Sequence, residues 1–163
     1  MAVALALLNE LEEEFAITER ILERVPQDRL AWAPAEGMPT LGQLAMHLAL
    51  VPTFAAAALQ DEAELDFTAP QPESSGEILT TFRESVTAAR SALRRLMDDA
   101  AMMHVMRFHS EGALLYELSR QMFLRLVLCN HSYHHRGQLT VYLRLCGVAT
   151  PAIYGPPADE GLR

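Results

Sequence analysis

The chain has 163 residues, half of them hydrophobic but only 7% aromatic, enough for one domain with a sizeable core and no need of disulfides. Ala and Leu dominate its apolar content and favour helix over strand, so an all-α protein is expected. A formal net charge of −8 works against a nucleic-acid partner, which needs clustered Lys and Arg.

Leu7, Leu8, Leu11, Phe15, Thr18, Leu22 and Val25 recur every three or four residues, which predicts an amphipathic first helix over Val3–Val25, stopped by Pro26. Its start, Met1 to Phe15, lacks a basic region and turns Glu-rich, unlike a signal peptide, and no apolar run reaches membrane-spanning length uninterrupted. A cytoplasmic protein without membrane contact follows. Gln27 to Pro39 reads as an irregular connection in which Leu30 and Trp32 are packing anchors.

Thr40-Leu41-Gly42-Gln43 has the form of a capping box and opens a second helix, with Leu44, His47, Leu48 and Val51 on one face. A single imidazole on such a stripe is more often a satisfied core histidine than a ligand. Pro52 should kink or end the regular part of this helix, which Thr53 to Leu59 then continues. Asp61 to Gln71, acidic and without helical period, reads as a long surface connection. Ser74 and Glu77 form a second capping box before Ile78, Leu79, Phe82, Val86, Ala89, Leu93 and Leu96, a third helix reaching about Met97 with Glu84, Arg90, Arg94 and Arg95 facing water.

Asp98 to Leu118 follows neither period and is expected to be a connection, with a short hairpin or a helical turn. Its methionines can fill core gaps or line a pocket, and His104 and His109, without companions at ligand spacing, are surface or loop histidines. Ser119 caps a long fourth helix that runs to about Cys146, with Gly147 as its left-handed stop and Pro151 just beyond. Gly137 costs ~1 kcal/mol of helix propensity, which suggests a close approach by a neighbour there. Val148 to Arg163 should run extended over the surface. Cys129 and Cys146 lie 17 positions apart on one helix, ~25 Å along its axis, too far to bridge. Both are expected to be buried thiols in a reducing compartment.

Three of the six histidines fall in this last helix. His131 and His135, four apart, point the same way and can share one metal ion. With Leu124, Leu128, Gln138, Tyr142 and Leu145 they form a seam of alternating steps, expected to face the core. Clustered imidazoles there need a metal, or else a carbonyl or carboxylate for each ring. Four amphipathic helices with long second and third connections describe a four-helix bundle, in which His47 can meet the pair.

Leu41-Gly42-Gln43-Leu44-Ala45-Met46-His47-Leu48-Ala49 and Asn130-His131-Ser132-Tyr133-His134-His135-Arg136-Gly137-Gln138-Leu139 resemble the second-helix and last-helix histidine motifs of the DinB-like family of metalloenzymes. The stretches Thr140 to Leu145 and Pro151 to Pro156 extend the resemblance, which spans 1–163. It implies a DinB/YfiT-like four-helix bundle binding a divalent transition metal through His47, His131 and His135. Zinc or nickel is the implied ion, with iron or manganese as alternatives; His134 is the ambiguous neighbour. The resemblance also implies a homodimer and a thiol-dependent S-transferase or isomerase working with a low-molecular-weight thiol, or a hydrolase. The alternative is a non-catalytic metal-binding or stress-response protein. Gln138 and Tyr142 are candidates to orient substrate or water, or to pack; Arg136 to hold a substrate carboxylate or form an exposed salt bridge; Glu19 to be an outer-shell carboxylate. No general base stands beside the histidines.

Overall fold

In the computed structural model, which describes residues 2–155 and Asp159, the helical periods become elements close to their expected bounds. In chain order these are α1 (Ala2–Leu22), α2 (Leu41–Leu50), β1 (Glu62–Glu64), α3 (Ser75–Arg94), α4 (Asp99–Met103), β2 (Val105–Ser110), β3 (Ala113–Ser119), α5 (Arg120–Phe123) and α6 (His131–Leu145). With Pro52 in its first turn, the 3-10 helix Val51–Leu59 continues α2, and between α5 and α6 the chain widens into a π-helix over Leu124–Asn130. Helix α1 ends before Val25, three residues short of the expected stop.

The all-α four-helix bundle is corrected to a mostly helical fold with a small sheet. Strand order is β1-β2-β3, with β1 parallel and β3 antiparallel to β2. Both segments expected to be connections contribute strands. β1 is only three residues long, below the length at which alternation is detectable. The β2–β3 hairpin closes on Glu111 (φ 53°) and Gly112 (φ 74°), two left-handed residues whose twist matches the flanking strands. Met106 and Phe108 point into the core while Arg107 points out, between Glu62 at 2.6 Å and Glu117 at 2.9 Å. These exposed pairs select register more than they add stability.

Helix starts follow the expected chemistry. Thr40 accepts from the Gln43 amide at 3.1 Å while Gln43 Oε1 accepts from the Thr40 amide at 3.0 Å. Ser74 accepts from the Glu77 amide at 3.0 Å, but the Glu77 carboxylate receives the amide of Glu73, one residue before the cap. Ser119 caps α5, and Gly147 (φ 75°) stops α6. From 148 to 155 no helix or strand forms; the remainder of the expected extended tail, 156–158 and 160–163, lies outside the described residues.

Leu7, Leu11, Phe15, Ile21 and Leu22 of α1 join Leu41, Leu48, Ile78, Phe82, Leu139 and Leu143 in one core. The rings of Phe15 and Phe82 meet edge to face at 6.4 Å. The apolar stretch Leu41–Leu59, broken at Pro52, is the one described segment long and apolar enough to cross a membrane, yet 61% of it is buried within this fold.

The approach made possible by a missing side chain is at Gly42, not Gly137. A Cβ at Gly42 would sit 2.9 Å from the Leu30 carbonyl and 2.6 Å from the Gln71 amide nitrogen, whereas one at Gly137 would meet nothing within 4 Å. Gly42→Ala is therefore expected to destabilise the fold by about 1–3 kcal/mol, because backbone stands in the way; Gly137→Ala should stabilise it by up to ~1 kcal/mol. Urea midpoints of the two variants check this difference in sign.

Candidate metal centre

The capping box and Gly42 seat the first turn of α2 against the Leu30 carbonyl, to which the Gly42 amide donates at 2.9 Å. One turn later His47 faces α6. On that helix the π-turn changes the phase of the seam. A π-helix closes its bonds one residue later than an α-helix, so the stripe that begins at Leu124 and Leu128 does not continue straight into His131 and His135. Beyond the π-turn the buried positions are Arg136, Leu139, Thr140, Tyr142 and Leu143, whereas Leu145 is 61% exposed and Gln138 is exposed. The histidines thus line a half-buried cleft beside the core, which corrects the expectation of a core-facing seam.

His47, His131 and His135 come together there, with one ligand atom from each lying within 4.8 Å of the others. His47 Nε2 and His131 Nε2 are 2.7 Å apart, and the His135 ring centroid lies 4.4 Å from that of His47 and 4.5 Å from that of His131. His135 Nδ1 stands 2.8 Å from Gln138 Oε1. An amide oxygen only accepts, so Nδ1 carries the proton and Nε2 keeps its lone pair. The donor set fits a divalent transition metal: three imidazoles from two helices, at least one of them fixed in its tautomer by an outer partner. Two nitrogens on one tetrahedral ion, each ~2.1 Å from it, stand about 3.4 Å apart, so the His47 and His131 nitrogens, now 2.7 Å apart, need to separate by less than 1 Å.

Burial lowers the pKa of all three rings. It takes His131 to about 3, with His135, His47 and His134 adding repulsion, and His135 to about 4 against the opposing bond to Gln138. At neutral pH each ring is therefore neutral, the state that binds metal. The same shifts bear on the metal-free protein. An unfolded histidine takes a proton near pH 6.5, but His131 and His135 do so only near 3 and 4. Between these values the unfolded chain holds more protons, so the rings' contribution to stability is full above pH 6.5, falls as pH drops towards 3, and levels off below. Thermal midpoints of metal-free wild type should decline more over that interval than those of a His131→Gln/His135→Gln variant.

The cleft has a volume of about 440 Å³. Gln43, Leu44, Gln138 and Tyr142 form its walls beside the histidines, with Phe67 at one edge. Phe67 lies in the connection after β1 and stacks on His131 at 5.4 Å and 14°, with its own edge against Phe54 at 5.3 Å. It is the site residue that sequence reasoning missed: a lone aromatic in an acidic, aperiodic stretch, with its placement set by the β1–β2 pairing.

Other candidates fall elsewhere. His134 is exposed on the far side of His135, outside the group of three. Arg136, expected on the surface or on substrate, is 1% exposed. It donates to Glu14 and to the Tyr154 hydroxyl and stacks between the rings of Tyr133 and Tyr154, so it joins α6 to α1 and the tail. Glu19 pairs with Arg83 at 2.6 Å on the surface and is no outer-shell group. Tyr142 meets Trp32 edge to face at 5.7 Å, which confirms Trp32 as packing. His104 pairs with Asp61 at 2.9 Å, and His109 lies in β2 with its Nε2 buried. Cys129 and Cys146 are free; burial raises the Cys129 thiol to about 11, which keeps it protonated and unreactive.

Comparisons with known proteins bear on the family and the fold. The sequence profile of the DinB family matches residues 1–161. The chain is 28% identical over 158 residues to the uncharacterized protein YrdA of Bacillus subtilis strain 168, covering 94% of this chain and 89% of that one. It superposes on a crystal structure of a DinB-like protein from Bacillus cereus with a TM-score of 0.75 at 27% identity, over 91% of this chain and 95% of that one. A DinB-like protein of Bacillus subtilis, YjoA, shares the fold at a TM-score of 0.70 and 16% identity, over 93% and 98% of the two chains.

Proposed function

The chain belongs to the DinB family, and from that premise we propose that it is a metal-dependent enzyme acting through a three-histidine site, a thiol-dependent S-transferase or isomerase in the first instance. The observation that carries this reading is the convergence of His47, His131 and His135 at the edge of an open cleft, not inside a closed core. Structural sites are closed by four protein ligands, whereas three ligands beside a cleft leave room for a substrate. Zinc or nickel is the ion proposed, iron or manganese the alternatives; when bound it supplies Lewis acidity that makes a thiol or water nucleophilic near neutral pH.

The protein's own groups then have separable tasks. Gln138 holds the His135 ring in one tautomer. Phe67 covers one face of His131 and keeps water from it. Gln43 and Tyr142 offer hydrogen bonds to a substrate in the cleft. Among the described residues no Asp or Glu lines it, so none of them stands there as a carboxylate base. In this reading the protein works in the cytoplasm, where its two free thiols persist, as a homodimer.

The test is turnover. Protein reconstituted with zinc or nickel is expected to accelerate transfer of a low-molecular-weight thiol to members of an electrophile panel, and His135→Ala to abolish the acceleration. A fully loaded, exchange-competent protein with no turnover of either thiol transfer or hydrolysis would instead mark a non-catalytic metal-binding protein.

A further inference from the structure

A second cleft of about 360 Å³ lies across Phe67 from the first. The two share Phe67, His131 and His135 as a common wall. The second is bounded on its other side by the β2–β3 hairpin, through Phe108, Leu115 and Tyr116, and by Leu126 and Val127 of the π-turn. Its polar groups are few: Asn130, His134 and the Tyr116 hydroxyl besides the shared imidazoles.

This wall is constructed, not incidental. Phe108 and Tyr116 stand opposite each other across the hairpin, their rings 5.2 Å apart, and Phe108 is held from behind by the edge of Phe123 at 5.3 Å. Phe108 is buried, yet Leu115 and Tyr116 at the rim leave 44% and 51% of their surface exposed. Apolar surface left open beside a concave site is recovered when a ligand covers it. The volume lies within the range of small-molecule sites, ~300–1,000 Å³. None of the residues lining the cleft is Asp, Glu, Lys or Arg, although these types make up 21% of the chain. An ionised ligand would lose hydration there without gaining a partner.

We infer that the second cleft binds an uncharged aromatic molecule, its ring between Phe67 and the Phe108–Tyr116 pair and one polar substituent towards Asn130 and His134. Taken with the proposed function, on which this part rests, the two clefts hold two reactants on either side of the same imidazoles: the small thiol beside Gln43 and Gln138, the aromatic acceptor beside Tyr116. The aromatic site itself does not depend on a bound ion.

The experiment uses metal-free full-length protein titrated with 1-naphthalenemethanol, a neutral and unreactive fluorescent probe. Saturable binding at one site per chain is expected. Leu115→Glu, which places a charge at the exposed rim, should weaken it at least tenfold while leaving the circular dichroism and the melting midpoint unchanged. Thr68 lines the first cleft and not the second, so Thr68→Trp, which narrows the first, should leave binding within twofold of wild type. Absence of saturable binding overturns the inference, as does binding that survives Leu115→Glu or is lost in Thr68→Trp. A protein that binds the probe as expected but takes up no metal fails the proposed function alone.

Discussion

Alanine at any one of His47, His131 or His135 is expected to reduce transition-metal content from about one ion per chain to background, measured by elemental mass spectrometry after gel filtration. The magnitude follows from the ligand count: with three protein donors, the loss of one leaves an ion held by two imidazoles and solvent. The three losses should be equivalent even though His47 is 84 positions away from His131 in sequence. Gln138→Leu should give a graded effect, a loss of affinity of ~10–100-fold, because it frees the His135 ring without removing a donor. His134→Ala, outside the group of three, should leave metal content unchanged. If the wild type takes up no metal even after reconstitution, the close contact between His47 Nε2 and His131 Nε2 is an imidazole–imidazole hydrogen bond, and the histidines are structural.

The second large effect lies away from the metal. Arg136→Met is expected to destabilise the protein by about 3–5 kcal/mol, the range for breaking one side of a buried ion pair. Arg136 is 1% and Glu14 13% exposed at the side chain. Arg136 also donates to the Thr18 hydroxyl at 3.1 Å and to the Glu14 carbonyl at 3.2 Å. Its removal takes the balancing charge from the Glu14 carboxylate, which keeps the Tyr154 hydroxyl as a donor at 2.9 Å, and takes from Tyr154 its contact with the guanidinium. A Glu14→Gln/Arg136→Met double variant should recover part of the loss, because no uncompensated charge remains. Guanidinium unfolding of wild type, Arg136→Met, Glu14→Gln and the double variant measures it; a double variant as unstable as the sum of the single ones would mean that packing of the tyrosine rings, not charge, is what Arg136 contributes.

These two predictions concern neighbours in the sequence with opposite fates. His135 and Arg136 sit side by side in one motif, yet one faces a cleft and the other the interior. Periodicity alone aligned His131, His135 and Gln138 on one face, and that alignment holds. It could not say which face is buried, because the π-turn at Leu124–Asn130 changes the phase between the apolar stripe and the histidines and leaves no residue pattern by which to see it.

What the sequence determined by itself is the set of local decisions. The helix periods, the Thr40 and Ser119 caps, the Gly147 stop and the i, i+4 spacing of His131 and His135 each depend on interactions within a turn or two of chain. The meeting of His47 with that pair was legible as well, through its place on an apolar stripe and the family motif. Only the tertiary structure decided the rest: the sheet joining β1 to the hairpin 43 residues later, as in the His104–Asp61 pair beside it, the burial of Arg136 against Glu14, and the seating of Phe67 over His131. In each case the stabilising partner lies dozens of residues away. A three-residue strand, a buried arginine and an isolated phenylalanine acquire their roles from what the fold brings against them, and that is not written in the residues beside them.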